Sequence, residues 1–215
     1  MNKTKPIILE LIATAVLAIA IVGSGYMASE LTKDSALVLF INALATAIGL
    51  AIAINLAGQI SGAHLNPVVT LVMLIQKRVP NIVGIFYIIA QICGAILGTI
   101  AANYIFGQSA FQSSAQIRNG SNLLVSEVIA TAGLLWIILN NLSNSKNIER
   151  YVPLWIFGGI LFTSSTSFAN PAITIGRSFT DSVTGIAPSS ILGFVLAQIA
   201  GGIIGLTLAK GFKNE

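Results

Sequence analysis

The few residues in this sequence that could do chemistry come largely in matched pairs. Glu10 stands four residues before Thr14, and Glu127 stands four residues before Thr131, each carboxylate inside an apolar run. An ionisable group at membrane depth marks a functional site by default. Two chemistries suit such a pair. One is a proton relay, which would serve an ion-coupled transporter. The other is a brace, a carboxylate accepting backbone N–H groups from a segment that cannot satisfy itself. Symmetric duplication favours the brace. A second pair is Ala63-His64-Leu65-Asn66-Pro67-Val68 and Ser167-Phe168-Ala169-Asn170-Pro171-Ala172. Asparagine is a favoured N-cap, and proline suits the first helical position, where its missing N–H leaves nothing unpaired. Each segment therefore predicts a loop followed by a short helix starting at the asparagine, and either asparagine could cap its helix or line a passage. His64, the single histidine, could sense pH; a hydrogen-bonded structural role lining the inner half is the favoured reading. Cys93, the single cysteine, excludes an intrachain disulfide and reads as a small apolar packing residue. One histidine, one cysteine and no clustered acids supply no catalytic constellation, metal site or cofactor site, so the chain does not read as an enzyme.

The elements that must position these residues are membrane helices. Of 215 residues, 55% are hydrophobic and 8% charged, against about 25% charged in soluble domains. Six apolar runs approach the roughly 20 residues needed to cross a hydrocarbon core: Ile7–Ala28, Ala36–Ala57, Ile82–Phe106, Leu123–Leu142, Val152–Phe168 and Ile191–Leu208. They leave no room for a soluble domain, so residues 1–215 read as one membrane body. The first run is too long for a signal-peptide core and reads as a retained helix. Alternating helices with both termini cytoplasmic put Lys3, Lys5, Lys77, Arg78, Lys146, Arg150, Lys210 and Lys213 inside, and only Lys33, Arg118 and Arg177 outside. That asymmetry fits the positive-inside rule. It accounts for the net charge of +4 without a nucleic-acid partner. The connection Phe106–Asn122 is polar and external.

A third feature also occurs twice: Gln91 with Gly94 and Gly98, then Gln198 with Gly202 and Gly205, Gly201 beside them. Such glycines permit close helix contact. Three motifs recurring in order, with three helices per half, define inverted repeats over about residues 6–107 and 122–210. The Asn-Pro segments are too short to span. Irregular backbone at membrane depth survives only when buried or lining a watery cavity, so two such segments entering from opposite faces imply a pore. Their N-termini would bring about half a positive charge each to its centre. The asparagine amides would add donors, and loop carbonyls around Gly62, Ala63, His64, Ser165, Thr166 and Ser167 would add acceptors. Neutral hydrogen-bonding solutes could exchange their hydration for these groups, and cations would be repelled.

Gly62-Ala63-His64-Leu65-Asn66-Pro67 and Asn170-Pro171-Ala172, with the paired Glu-x-x-x-Thr and Ala-Gln-x-x-Gly motifs, resemble the aquaporin, or major intrinsic protein, family along essentially the whole chain. The resemblance implies an all-α, right-handed bundle of six transmembrane helices and two re-entrant half-helices, with Asn66-Pro67-Val68 and Asn170-Pro171-Ala172 as the paired pore motifs. It also implies a passive channel in each subunit of a homotetramer in the bacterial inner membrane. In the family an arginine follows the second Asn-Pro-Ala and walls the narrowest filter; here that position is Ile173. By the family's spacing the other filter positions are Ser167, Gly158 and, on the second helix, either Thr46 or Ile48. Such a filter is wider and less polar than a strict water channel's. Arg177 lies one helical turn beyond Ile173, where it either guards the outer vestibule or pairs with Asp181. The missing arginine and the stretch Ile-Gly-Arg-Ser-Phe-Thr-Asp resemble bacterial aquaglyceroporin-like members associated with arsenic resistance. That similarity implies water, glycerol-like polyols and uncharged metalloid hydroxides such as arsenite as solutes. A strict water channel is the alternative, and an ion-coupled transporter using Glu10 and Glu127 is the least favoured.

Overall fold

In an apolar solvent the cheapest way to satisfy a backbone is the helix, and the computed structural model of the chain, which describes residues 4–212, contains little else. Lys3 and Lys213, counted above among the inner basic residues, lie outside the described residues. The elements are α1 (Thr4–Leu31), α2 (Ser35–Ser61), α3 (Pro67–Ile75), α4 (Asn81–Ile105), α5 (Ser121–Asn140), α6 (Ser145–Phe162), α7 (Pro171–Gly176), a 3-10 turn (Arg177–Phe179) and α8 (Pro188–Gly211). Among them α1, α2, α4, α5 and α8 are long and apolar enough to cross a membrane. Their outer faces carry exposed aliphatics such as Ile48, Ile52 and Leu56, as lipid contact requires.

Helix α6 departs from its apolar run of residues 152–168. It starts earlier, where the Asn144 side chain accepts the Asn147 N–H, and it includes Lys146, Glu149 and Arg150. It stops at Phe162, because Thr163 turns to extended backbone. Apolarity reports burial and not helicity, so the run continues through irregular residues that are enclosed by protein instead of lipid.

Two helix pairs repeat the same packing. A Cβ added at Gly94 or Gly98 of α4 would strike the carbonyl of Leu11 or Ala15 on α1. A Cβ at Gly201 or Gly205 of α8 would strike that of Val128 or Ala132 on α5. The glycines therefore mark backbone-to-backbone contact. The counterpart of Gly94 is Gly201. Gly202 serves differently, because its missing side chain makes room for Val68 Cγ1 of α3. Cys93 does not pack inside the bundle as expected. It is exposed, on the same face of α4 as exposed Phe86, Ile89 and Leu97 and away from buried Gln91.

The short helices α3 and α7 start at Pro67 and Pro171 and meet through their N-terminal loops. Asn66 caps α3 by accepting the Val68 N–H at 2.9 Å, and Asn170 caps α7 by accepting those of Ala172 and Ile173 at 3.0 and 3.3 Å. The connection before α5 is docked, not loose. Ser114 N–H donates to the Ser178 carbonyl, Ala115 N–H to the Asp181 carboxylate, and Ala187 N–H to the Gln116 carbonyl.

Candidate functional site

Each re-entrant loop holds three left-handed residues in the same places: Gly62, Ala63 and Leu65 before Asn66, and Thr166, Ser167 and Ala169 before Asn170. Left-handed backbone costs about 1–3 kcal/mol for each non-glycine residue and persists only where the surroundings impose it. Here two buried carboxylates impose it. Glu10 accepts the backbone N–H groups of His64 and Leu65 at 3.0 and 2.7 Å, the Ser61 hydroxyl at 2.6 Å and the Gln91 amide at 2.7 Å. Glu127 accepts those of Phe168 and Ala169 at 2.8 Å each, the Ser165 hydroxyl at 2.6 Å and the Gln198 amide at 2.7 Å. The glutamines continue the pattern. Gln91 donates to Thr70 and Gln198 to Thr174, both at 2.9 Å, and each threonine donates to the carbonyl of its helix's capping asparagine.

The two loops are tied together at the centre. Asn66 Nδ2 donates to the Ala169 carbonyl at 2.7 Å, and Asn170 Nδ2 donates to the Leu65 carbonyl at 2.8 Å. Each asparagine thus caps its own helix with the carbonyl oxygen and clasps the opposite loop with one amide hydrogen. An amide carries two such hydrogens, so each keeps one donor. Both residues line a cavity of about 70 Å³.

Two helix faces supply much of the wall of that cavity: Asn42, Thr46, Leu50 and Ile54 on α2, and Ile148, Val152, Ile156 and Ile160 on α6. Both rows step by four residues, as one helix face requires. Leu17 and Ile21 of α1 and Leu134 and Ile138 of α5 fill the gaps. Polar groups interrupt this aliphatic surface: His64, Thr166, Ser167 and Arg177 also stand on it. The hydroxyls of Thr46 and Ser167 are buried and have no protein partner. Of the two candidate positions on the second helix, Thr46 faces the cavity, whereas Ile48 is 53% exposed on the outer surface. Ile173 borders the cavity and is 2% exposed.

Gly158 does not line the cavity; the spacing that points to it is out of phase with α6. Helix α2 continues to Ser61, but α6 ends at Phe162, three residues before the equivalent Ser165. The extended Thr163 and the turn that follows it interrupt the helix, the facing row is Ile156 and Ile160, and Gly158 instead lies beside Phe162. Asn42, Ile156, Ile160, Phe168 and Arg118 were not singled out from the sequence. The i, i+4 rows through Thr46 and Val152 were legible there, but nothing marked which face of either helix looks inward.

The Arg177 guanidinium carbon sits 3.4 Å from the centre of the Phe168 ring, with that of Arg118 at 5.1 Å. Arg177 Nε donates to the Thr184 carbonyl. No ion pair with Asp181 forms among the described residues, because the helix ends at Gly176 and the Asp181 carboxylate accepts the Ala115 N–H. Arg118 donates to the carbonyls of Gly185 and Val183 at 2.8 and 3.0 Å. Burial pushes the Arg118 pKa down, opposed by the field of Glu127. Arg177, Asn42 and Thr166 also border a second cavity of about 430 Å³, called the outer cavity after the topology that the charges favour, so the two spaces meet at these residues. His64 Nδ1 lies 3.1 Å from Thr70 Oγ1, and its ring stands edge-on to Tyr87.

Known proteins share this arrangement. Residues 1–167 match the family described as Major intrinsic protein. The aquaglyceroporin AqpS of Rhizobium meliloti (strain 1021) is 38% identical over 210 residues, covering 97% of this chain and 90% of that protein. Aquaporin TIP1-1 of Arabidopsis thaliana is 30% identical over 189 residues, covering 81% of this chain and 75% of that one. The crystal structure of the aquaglyceroporin from Plasmodium falciparum superposes with a TM-score of 0.77 at 21% identity, covering 98% of this chain and 96% of that one, and so shares the fold. With paired half-helices, braced loops and a central cavity in place, these matches establish that the chain belongs to the major intrinsic protein family, a family of membrane channels and not of enzymes.

Proposed function

We propose that this channel conducts water and small uncharged polyols through the cavity between α3 and α7, with Thr46, Ser167 and Ile173 at its narrowest part. One observation carries the reading: the wall is two-sided. Asn42, Thr46, Thr166, Ser167 and the spare amide hydrogens of Asn66 and Asn170 supply polar groups, with His64 and Arg177 beside them, and the remainder is largely aliphatic. A glycerol-like molecule can replace its water with the polar groups while its carbon chain lies against Ile156, Ile160 and Ile173. The aquaglyceroporin names of two similar proteins support the same solute class. Arsenite, neutral at pH 7 and bearing several hydroxyls, suits the same wall.

Residues 1–215 form one channel unit of two inverted repeats in this reading, about 6–107 and 122–210. The termini face the cytoplasm of a bacterium, as the inner excess of lysine and arginine favours. Homotetramer assembly would cover part of the exposed aliphatic surface. A strict water channel remains the second reading, favoured by the small cavity and by Arg177 at its outer end.

Light scattering from proteoliposomes decides between them. A sucrose shock should give fast protein-dependent shrinkage, and a glycerol shock should add fast re-swelling. Fast shrinkage with re-swelling no faster than empty liposomes would leave only the water channel. Arsenite uptake by the same vesicles tests the metalloid, and light scattering of the detergent complex during gel filtration tests the tetramer.

A further inference from the structure

The outer cavity gathers three cations, Lys33, Arg118 and Arg177, and no carboxylate lines it. Arg177 is 6% exposed, with only Nε engaged by protein, in a bond to the Thr184 carbonyl. Its terminal nitrogens make no hydrogen bond among the described residues. Arg118 satisfies Nε and one terminal nitrogen with carbonyls and shares the Phe168 ring with Arg177. Lys33 uses one donor on the Ser29 carbonyl and keeps two. The acids nearby are committed elsewhere. Asp34 caps α2 through the N–H groups of Ala36 and Leu37, Asp181 holds the Ala115 N–H, and Glu127 is saturated by its loop. The field of Glu127 reaches both guanidiniums, but three cations still face one cavity that no carboxylate lines, which favours binding of an anion, and a guanidinium presents paired donors that match an oxyanion. Serine and threonine hydroxyls at Ser29, Thr32 and Ser35 border the same space.

We propose that this vestibule seats a small oxyanion between Arg177, Arg118 and Lys33, and that the seated anion plugs the mouth of the channel. The anion does not pass onward. Beyond Arg177 the cavity shrinks to about 70 Å³ and Ile173, Ile160 and Ile21 take up part of its wall, so the polar groups there replace only part of an oxyanion's hydration. The proposal rests on the two cavities forming one conduction path, because only then does an anion in the outer one slow flux through the inner.

Sulfate is a suitable probe because it stays charged across the working pH range and is not carried as a neutral acid. Proteoliposomes of zwitterionic lipid would hold either chloride or sulfate on both faces, at matched ionic strength and osmolarity, so that insertion direction does not matter. Glycerol re-swelling in chloride reports the channel itself. Saturable slowing by sulfate reports the seat. Lys33→Gln removes an exposed charge from the outer cavity, away from the wall of the smaller inner one. Measured against its own re-swelling in chloride, it should raise the half-inhibitory sulfate concentration about tenfold, one charge-assisted hydrogen bond's worth. Arg118→Gln should raise it at least as much. Normal glycerol flux in chloride with no sulfate effect would overturn the proposal and spare the channel reading. A sulfate effect equal in the wild type and both variants would overturn it too, since the anion would then act elsewhere.

Discussion

Thr46 and Ser167 each bury a hydroxyl that no protein atom satisfies. Leaving such a group unpaired costs about 1–3 kcal/mol, and in the proposed reading a passing solute supplies the missing partner. Thr46→Val should therefore leave the denaturation midpoint in detergent unchanged or slightly raised, and should slow water and glycerol flux in liposomes. A fall in stability would mean the hydroxyl has a structural partner. The glutamates are the opposite case. Glu127→Gln replaces one acceptor oxygen by a donor facing the N–H groups of Phe168 and Ala169. That change should cost about 2–4 kcal/mol, seen as a lower thermal midpoint together with lost flux. A variant of normal stability that loses only proton-dependent uptake would instead restore the relay. The sequence exposed both carboxylates and their duplication, but the identity of their partners depends on loop backbone that no pattern announces.

At the scale of elements, the glycines separate two reasons for being small. Gly98 and Gly205 hold helices in backbone contact, and an added Cβ would strike the carbonyls of Ala15 and Ala132. Gly205→Ala should lower stability by about 1–3 kcal/mol through forced separation of α5 and α8. Gly58 of α2 has open space where its Cβ would be. Gly58→Ala should be neutral or stabilising by about 0.5–1 kcal/mol, because helical alanine loses less entropy. Thermal denaturation of the two variants side by side checks both, and equal effects would show that helix propensity alone is at work. The spacing Gln91–Gly94–Gly98 was visible as a packing motif. Its proper counterpart, Gln198–Gly201–Gly205, needed the contacts to separate it from Gly202, whose space is filled by Val68. The same limit applies to α6. Counting residues back from Asn170 assumes regular geometry, and the extended backbone at Thr163 breaks the count.

For the whole molecule, two half-helices meet N-terminus to N-terminus and both internal carboxylates are tied into loops, which leaves neither carboxylate free to couple flux to an ion. Glycerol re-swelling should be proportional to the imposed gradient and indifferent to a membrane potential set with potassium and valinomycin. A flux that rises or falls several-fold with potential would require a charged permeant or a moving charge. The positive helix ends at the centre, backed by Arg177 and Arg118 outside, should also keep sodium and potassium leakage at the level of empty liposomes.

The sequence by itself determined the class of protein, the apolar runs, the motifs that occur twice and the two short helices at the asparagines. These depend on hydropathy and on caps, which are local properties written residue by residue. Tertiary structure decided which side chains face the passage. Thr46 turns inward and Ile48 outward, Gly158 yields its place to Ile156 and Ile160, and Arg177 lies on Phe168 instead of reaching Asp181. It also brought Arg118, from a connection far along the chain, to the same ring. Facing and proximity follow from helix phase and loop path. A left-handed residue or an unwound turn resets both without any change in the pattern of apolar residues.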